Sequence, residues 1–199
     1  MNGPYWVTGI TGLTNRKGPI RLQPSVVLCR CGASANKPFC DGTHVKIGFS
    51  SADPERAIQD KRETYEGQQI AIHDNRSICA HAGHCTEGLP SVFRMKQAPW
   101  IDPDGARREQ VAKTVRRCPS GALSYSVDGV EHRNDVGEPT IFVAPDGPYV
   151  VTGGPELRDT KHAQGASLEH FTLCRCGGSK NKPFCDGTHW HNGFKDDRN

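Results

Sequence analysis

Residues 29–44 read CRCGASANKPFCDGTH, and residues 174–189 read CRCGGSKNKPFCDGTH. The two blocks are 16 residues long and differ only at Ala33 against Gly178 and at Ala35 against Lys180. Each block offers three thiols and one imidazole in the spacing C-x-C-x8-C-x3-H. Thiolate and imidazole are ligands for zinc and for iron–sulfur clusters. The repeated stretch therefore predicts two metal centres, around which the rest of the chain is organised.

The repeat is longer than these cysteine blocks. Residues 3–9 read GPYWVTG and residues 147–153 read GPYVVTG, while Gly-Phe closes each copy at 48–49 and 193–194. An internal repeat of this kind indicates two copies of one structural unit that pack together. Neither copy has enough apolar residues to bury a face alone. We therefore expect a pseudo-twofold pair built from the two ends of one chain, acting as a monomer.

The composition of the 199-residue chain limits its class. The net charge is only +3, which gives no case for nucleic-acid binding. A run of 18 apolar residues is absent, so no membrane span is expected, and the first residues do not resemble a secretory signal. We therefore expect a cytoplasmic, bacterial protein. In that setting nine cysteines are typical of metal sites rather than disulfides, and three sets of three fit that expectation.

The spacing within each block bears on the choice between zinc and iron–sulfur. A structural zinc site with three Cys and one His is a legitimate alternative. Zinc sites usually pair their cysteines as C-x2-C, because that gap turns the chain back onto one ion. C-x-C in an extended strand places both sulfurs on one side, about 6–7 Å apart. Such a pair suits one iron of a cluster, with the later Cys and His on the other iron, so the spacing favours iron–sulfur and leaves zinc open.

The motif Cys-x-Cys followed by Cys-Asp-Gly-Thr-His resembles the CDGSH (NEET) iron–sulfur domain, with Thr43 and Thr188 in place of the family's Ser. The resemblance covers residues of about 1–50 and 140–195. It implies a small β-rich fold, usually a dimer with two clusters, and one [2Fe–2S] cluster per motif. The ligands that it implies are Cys29, Cys31, Cys40 and His44 in one copy, and Cys174, Cys176, Cys185 and His189 in the other.

A single His ligand has two expected consequences. Neutral imidazole in place of a thiolate makes the site less negative, so its reduction potential should be higher than that of an all-Cys site. Imidazole can also take up a proton near an unperturbed pKa of about 6.5, and it then cannot bind metal. We expect cluster loss to accelerate on acidification, and replacement of His44 and His189 by Cys should slow that loss.

A third cysteine set lies between the two copies, at Cys79, Cys85 and Cys118. Cys118 is followed by Pro119, and the stretch from 65 to 125 resembles a divergent single-cluster ferredoxin domain of the kind fused to CDGSH domains. Ala82 stands where a bacterial ferredoxin has its middle cysteine. Three thiolates favour a [3Fe–4S] cluster. The alternative is [4Fe–4S] with His81, His84 or an exogenous group on the fourth iron, although each His alone is more typical of an exposed loop.

Local patterns predict the elements of an α+β protein in three parts, at 1–60, 61–127 and 128–199, with the ends packed as a pseudo-dimer around an inserted ferredoxin-like domain. Stretches 50–60 and 128–138 are expected to be polar linkers. A helix is predicted over 107–117, capped by Asp104, and a short helix is predicted to carry His44. Short antiparallel strands are predicted at Tyr5–Thr8, 20–22, 26–28, 68–72, Thr140–Val143, Tyr149–Thr152 and 168–173.

These patterns predict an electron carrier with three clusters that serves a redox partner protein, and they indicate no enzyme because no catalytic motif or nucleotide-binding motif is present. Two alternatives remain: a cluster donor or redox and pH sensor that uses the His ligands, and a structural zinc protein. The middle part is locally basic, which we interpret as a solvated face, with docking to an acidic partner as the alternative. The basic residues are Lys61, Arg62, Arg107, Arg108, Lys113, Arg116 and Arg117.

Overall fold

The computed structural model describes residues 2–51, 60–134, 137–158 and 160–199, which form a mixed α+β, strand-rich structure with few helices. The strands are, in chain order, β1 (Tyr5–Thr8), β2 (Gly12–Asn15), β3 (Gly18–Pro19), β4 (Ser25–Leu28), β5 (Arg62–Tyr65), β6 (Ala71–Asn75), β7 (Leu123–Val127), β8 (Val130–His132), β9 (Thr140–Val143), β10 (Tyr149–Thr152) and β11 (Phe171–Leu173). The α-helices are α1 (Thr43–Lys46), α2 (His84–Gly88) and α3 (Arg108–Arg116), with 3-10 turns at Arg76–Ile78, Pro103–Gly105 and Thr188–Trp190. Within these ranges, no helix has the length and apolar character needed to cross a membrane.

The two ends of the chain share one sheet. Its strand order is β11-β10-β9-β2-β3, while β1 and β4 form a separate antiparallel pair. Strand β2 of the N-terminal end runs parallel to β9 of the C-terminal end, with Leu13 opposite Ile141. The prediction of a purely antiparallel sheet is therefore wrong at this junction. Leu13 and Ile141 are 1% and 2% exposed, so the junction is part of the core.

One hydrophobic core lies under both ends. It draws side chains from each copy of the repeat, and burial of apolar area is the main favourable term in folding. Because both copies contribute, each copy covers the apolar face that the other could not bury alone. Its buried members include Tyr5, Leu13, Val26 and Leu28 from the first copy and Ile141, Val143, Tyr149, Val151, Phe171 and Leu173 from the second.

The middle part has its own antiparallel sheet, in the order β5-β6-β7-β8, and its own core. Helix α3 buries Val111 and Val115 in that core, while its basic residues are exposed to solvent. The predicted helix is confirmed, but Asp104 does not cap it. Asp104 instead accepts a hydrogen bond from the backbone of Gln68 at 2.8 Å, and Arg107 occupies the N-cap position.

Several predicted strand positions are corrected by the structure. Residues 20–22 are not a strand, although the backbone N–H of Ile20 still donates to Leu13 O at 2.8 Å. The strand predicted at 68–72 begins at Ala71 as β6. Only the last three residues of 168–173 form β11, and the supposed linker 128–138 contains β8. Strands β1, β9 and β10 are confirmed with the predicted bounds. Most of the predicted connector at 50–60 lies outside the described residues.

Candidate functional site

The N-terminal block brings its four predicted ligands together as two pairs. Strand β4 ends directly before Cys29, whose backbone N–H donates to Pro38 O at 2.8 Å and so folds the loop back. The Sγ atoms of Cys29 and Cys31 are 3.8 Å apart. In the second pair, the Sγ of Cys40 lies 3.3 Å from Nδ1 of His44, which α1 carries as predicted.

The C-terminal block repeats this arrangement after β11. The Sγ atoms of Cys174 and Cys176 are 3.7 Å apart, and Cys185 Sγ lies 3.4 Å from Nδ1 of His189. Here a 3-10 turn rather than an α-helix carries the His. The predicted ligands of both blocks are thus near their partners. The prediction of an extended C-x-C is wrong, however, because the chain bends at both places and the sulfurs approach more closely than 6–7 Å.

The pair geometry fits metal centres in which each metal takes two protein ligands. Two thiolates on one tetrahedral metal, with bonds of about 2.3 Å, lie roughly 3.8 Å apart, and a thiolate and an imidazole lie slightly closer. The observed separations of 3.8, 3.7, 3.3 and 3.4 Å match these values. In the described part of the chain, no three Cys, His, Asp or Glu side chains are grouped around a point that could hold one ion. Two separated pairs suit a two-metal centre better than a single zinc ion.

Backbone N–H groups point at the ligand sulfurs in both blocks. Gly42 and Gly187 donate to the sulfurs of Cys40 and Cys185 at 3.4 and 3.5 Å, and Gly178 donates to Cys176 at 3.4 Å. Such donors stabilise the negative charge of a thiolate, and hydrogen bonds to sulfur raise the reduction potential of iron–sulfur centres. The glycines also sit in the left-handed region, at φ 86° and 84° for Gly42 and Gly187, which favours glycine at both positions.

Four of the six thiols in the two blocks are buried, and burial opposes their ionisation. Burial raises the pKa of Cys185 to about 12 and also raises that of Cys31. Within the pair Cys174 and Cys176, a shared hydrogen bond raises the pKa of Cys174 and lowers that of Cys176. Thiolates rather than thiols bind metal, so metal binding must release these protons. The positive charge of the metal, rather than the protein alone, is therefore needed to complete each site.

The two Cys3His sites differ in their exposure to solvent. His189 is only 7% exposed, and burial lowers its pKa. His44 is half-buried, and its neighbours Val45 and Ile47 are 73% and 52% exposed. The same motif therefore forms a shielded centre in one copy and an accessible centre in the other.

Two tyrosines connect the sites across the middle of the shared core. The hydroxyl of Tyr5 donates to backbone carbonyls of the C-terminal block, at 2.8 Å from Cys174 O and 3.0 Å from Pro183 O. Tyr149 makes the reciprocal contacts, at 3.0 Å from Cys29 O and 2.9 Å from Pro38 O. The two rings meet edge to face with centroids 6.1 Å apart. Each copy of the repeat thus supports the ligand loop of the other.

The ligand loops themselves also touch. A Cβ placed on Gly32 would lie 2.6 Å from the carbonyl oxygen of Cys176, and one on Gly177 would lie 2.4 Å from that of Cys31. Both glycines have positive φ, at 80° and 77°. The absence of a side chain at these two positions is therefore what lets the two C-x-C segments lie back to back.

The middle cysteines surround the boundary between the two cores. Cys79 follows the 3-10 turn Arg76–Ile78, Cys85 lies in α2, and Cys118 follows α3. Burial raises the pKa of Cys79 to about 11 and also raises the pKa of Cys85. For both thiols, the second-largest cause of the rise is the charge of Cys118. The three thiols are thus close enough to interact, and the backbone N–H of His81 hydrogen-bonds to Cys79. Three partly buried thiols that are near one another without being grouped around a single point fit the wider spacing of an iron–sulfur cluster.

The middle site lies beside the C-terminal site. Asn181 in the C-terminal block donates to Ser77 O at 2.6 Å, two residues before Cys79. The ring of His81 lies against Gly187, where an added Cβ would be 2.5 Å from its Cδ2. Burial raises the pKa of Cys185, and the charge of Cys79 is a smaller cause of the same shift. His84 is exposed at the start of α2.

Residues that support the sites without binding metal were missed by sequence reasoning. Ser34 and Ser179 donate to the carbonyls of Phe39 and Phe184 at 2.6 and 2.7 Å, and Tyr5 and Tyr149 bridge the copies. All of these are identical between the two copies, so the repeat itself held the signal. No comparable signal pointed to the contact between the middle and C-terminal sites.

Comparison with known protein families finds iron-binding families over the three parts of the chain that carry these cysteines. The family described as "Iron-binding zinc finger CDGSH type" matches residues 2–45 and 146–190, and the family "Divergent 4Fe-4S mono-cluster" matches residues 65–128. The protein named "Uncharacterized protein YjdI" in Escherichia coli K12 is 43% identical over 61 residues, which is 31% of this chain and 80% of that protein. YjdI of Escherichia coli O157:H7 is similar to the same extent. No solved structure matches.

Proposed function

Because the chain belongs to the CDGSH-type iron-binding family and carries a divergent 4Fe–4S mono-cluster domain, we propose that it is an electron-transfer protein with three iron–sulfur centres. The Cys3His sites would each hold a [2Fe–2S] cluster, and Cys79, Cys85 and Cys118 would hold a [3Fe–4S] cluster, or a [4Fe–4S] cluster with a fourth ligand. Bound clusters would supply one-electron redox chemistry. The chain itself positions the ligands, donates hydrogen bonds to their sulfurs and limits access of water.

The observation that carries this proposal is the contact between the middle and C-terminal sites. The hydrogen bond from Asn181 to Ser77 and the packing of His81 on Gly187 hold the two ligand loops against each other. A second bridge, from Asn75 Nδ2 to Gln164 O at 3.0 Å, supports the same face. Isolated structural metal sites have no need of such contact, whereas electron exchange requires short distances between centres.

The reciprocal tyrosine contacts connect the C-terminal site to the N-terminal site. We propose that the ends form a covalent pseudo-dimer, supported by the shared core, the β2–β9 pairing and the loops at Gly32 and Gly177. The order of the centres would then be middle, C-terminal and N-terminal. The accessible N-terminal site would exchange electrons with a redox partner protein. The chain would act as a cytoplasmic monomer without a substrate of its own, in line with nine cysteines that form no disulfide.

One preparation tests the number of centres. Protein purified without oxygen should contain about seven irons per chain if the middle centre has three irons, and about eight if it has four. Electron paramagnetic resonance should separate the two cases. Colourless protein with zinc and no acid-labile sulfide would support the structural zinc alternative and contradict the proposal.

The order of the centres can be tested without knowing the electron donor. When the middle and C-terminal centres are both paramagnetic, their contact should broaden the resonance of the C-terminal centre. Replacement of Cys118 by Ala should remove that broadening and leave the N-terminal resonance unchanged. Replacement of Cys40 by Ala, which empties the N-terminal site, is the matched control and should leave the broadening in place. Broadening that is unchanged in the Cys118 variant would contradict the proposed order.

A second candidate function is cluster donation, and the exposure of the N-terminal site favours it. His44 is half-buried beside the exposed Val45 and Ile47, so an acceptor protein could approach this site and not its buried counterpart. A donor should pass a [2Fe–2S] cluster to a metal-free acceptor faster than it exchanges electrons with a reductase. Electron exchange that is much faster than transfer would favour the electron-carrier function.

A further inference from the structure

A buried carboxylate near the middle site has no hydrogen-bond partner. Asp74 lies on β6 with its side chain 1% exposed, and neither of its carboxylate oxygens has a hydrogen-bond partner. Buried polar groups are nearly always hydrogen-bonded, and an ionised carboxylate without such bonds costs several kcal/mol. Neighbouring strand residues do not satisfy it, since Asp74 is paired in register with Leu123 on one side and Glu63 on the other. Its retention in the core of a small domain calls for a functional explanation.

One charged side chain connects this carboxylate to the middle site. The guanidinium of Arg76 places Nε 3.8 Å from Asp74 Oδ2 and Nη1 3.8 Å from Cys79 Sγ. The same guanidinium lies over the ring of Trp100, 4.3 Å from its centroid, which limits its movement. The guanidinium of Arg76 therefore lies between the carboxylate of Asp74 and the sulfur of Cys79, a proposed cluster ligand.

The groups around Asp74 determine its response to added charge. Burial raises the pKa of Asp74 to about 7, Arg76 opposes that rise, and the exposed Glu63 adds to it. Asp74 in turn contributes to the raised pKa values of Tyr65 and Cys79, so its charge is felt at the middle site. A negative charge added nearby favours the neutral form of a carboxylate. An electron that arrives at the middle site should therefore draw a proton onto Asp74.

We propose that Asp74 is the redox-linked proton site of the middle centre. When a one-electron donor protein reduces that centre, the carboxylate of Asp74 takes up one proton from solvent, and it releases the proton on reoxidation. Charge then balances, because one electron and one proton enter together. This inference rests on the proposed function, since it requires a redox-active group held by Cys79, Cys85 and Cys118.

The test is the reduction potential of the middle centre as a function of pH, measured on the intact protein by film voltammetry with assignment by electron paramagnetic resonance. For the native protein, the potential should fall with rising pH above about pH 7, where Asp74 is ionised before reduction, with a slope approaching about 59 mV per tenfold change in proton concentration. Asp74→Asn, which keeps the shape of the side chain, should have a flat profile. Glu63→Gln removes a nearby exposed carboxylate instead and should keep the native slope.

A second measurement covers the case in which Asp74→Asn does not fold. Infrared difference spectra of the native protein should then show a protonated carboxyl band that appears on reduction. An assembled middle centre with a flat profile in the native protein overturns this inference alone, as does a native slope in Asp74→Asn. A middle site without iron and sulfide overturns the proposed function and this inference with it.

Discussion

Replacement of Gly32 by Ala tests the back-to-back packing of the ligand loops. The new Cβ would lie 2.6 Å from Cys176 O and 2.8 Å from Cys176 C, which are backbone atoms of the opposite copy and cannot rotate away. Gly32 also has a φ of 80°. A left-handed conformation costs a residue with a Cβ about 1–2 kcal/mol, and overpacking adds about 1–3 kcal/mol. The expected destabilisation is therefore about 2–5 kcal/mol.

Gly9→Ala separates the backbone strain from the clash. Gly9 has a φ of 72°, and a Cβ placed on it has no atom within 4 Å. Gly9→Ala should therefore carry the strain alone, at about 1–2 kcal/mol. The difference between the two variants measures the contact between the copies.

The assay follows the C-terminal cluster, which is held by the copy that was not mutated. In a Cys40→Ser background, which empties the N-terminal site, the remaining visible absorption and resonance of the [2Fe–2S] type belong to the C-terminal site. If the clash is relieved in the transition state, an excess of about 1–3 kcal/mol should make loss of this cluster in urea roughly 5-fold to 160-fold faster in Gly32→Ala than in Gly9→Ala. Equal rates in the two variants would refute the back-to-back packing.

Three further predictions concern other parts of the structure. Tyr149→Phe removes the hydrogen bonds to the carbonyls of Cys29 and Pro38, and it should destabilise the protein by about 1–3 kcal/mol in chemical denaturation; an unchanged midpoint would contradict the bridging role. Because its pKa is raised, Asp74 binds more protons in the folded protein than in the unfolded chain between pH 4 and 7, so its own contribution to native stability should fall as pH rises through that range. That loss is on the order of 1.4 kcal/mol per pH unit and amounts to a few kcal/mol over the range. Chemical denaturation of Asp74→Asn should not show it, and equal pH profiles of stability in the two proteins would contradict the prediction. On acidification, the N-terminal cluster should be lost before the C-terminal one, since His44 is more exposed than His189. The decay of visible absorption in variants that lack one of the two sites measures each loss, and faster loss from the C-terminal site would contradict this prediction.

The candidate metal ligands could be identified from the sequence because their chemistry is local. The spacing of Cys29, Cys31, Cys40 and His44 places the side chains within one loop, and the structure brings them together in two pairs. The amphipathic helix α3 was recognisable for the same reason, since Val111 and Val115 lie on one face of a single element. The repeat also indicated that the chain ends correspond to each other.

The remaining features depend on contacts between residues that are far apart in the chain. Strands β2 and β3 are too short, and too rich in Gly, Asn and Pro, to show a strand pattern, so the parallel pairing of β2 with β9 had no local signal. The same holds for the contact of His81 with Gly187, which places the middle site beside one Cys3His site, and for the absence of hydrogen-bond partners at Asp74.

The sequence by itself indicated which side chains can bind metal and which family the chain belongs to, because ligand type and spacing are properties of short segments. Only the tertiary structure decided which cysteine sets are neighbours, which of the two motif histidines is shielded from solvent and which carboxylate is buried without a hydrogen-bond partner. Those properties arise from how the segments pack, because burial and the distances between loops are set by the whole fold.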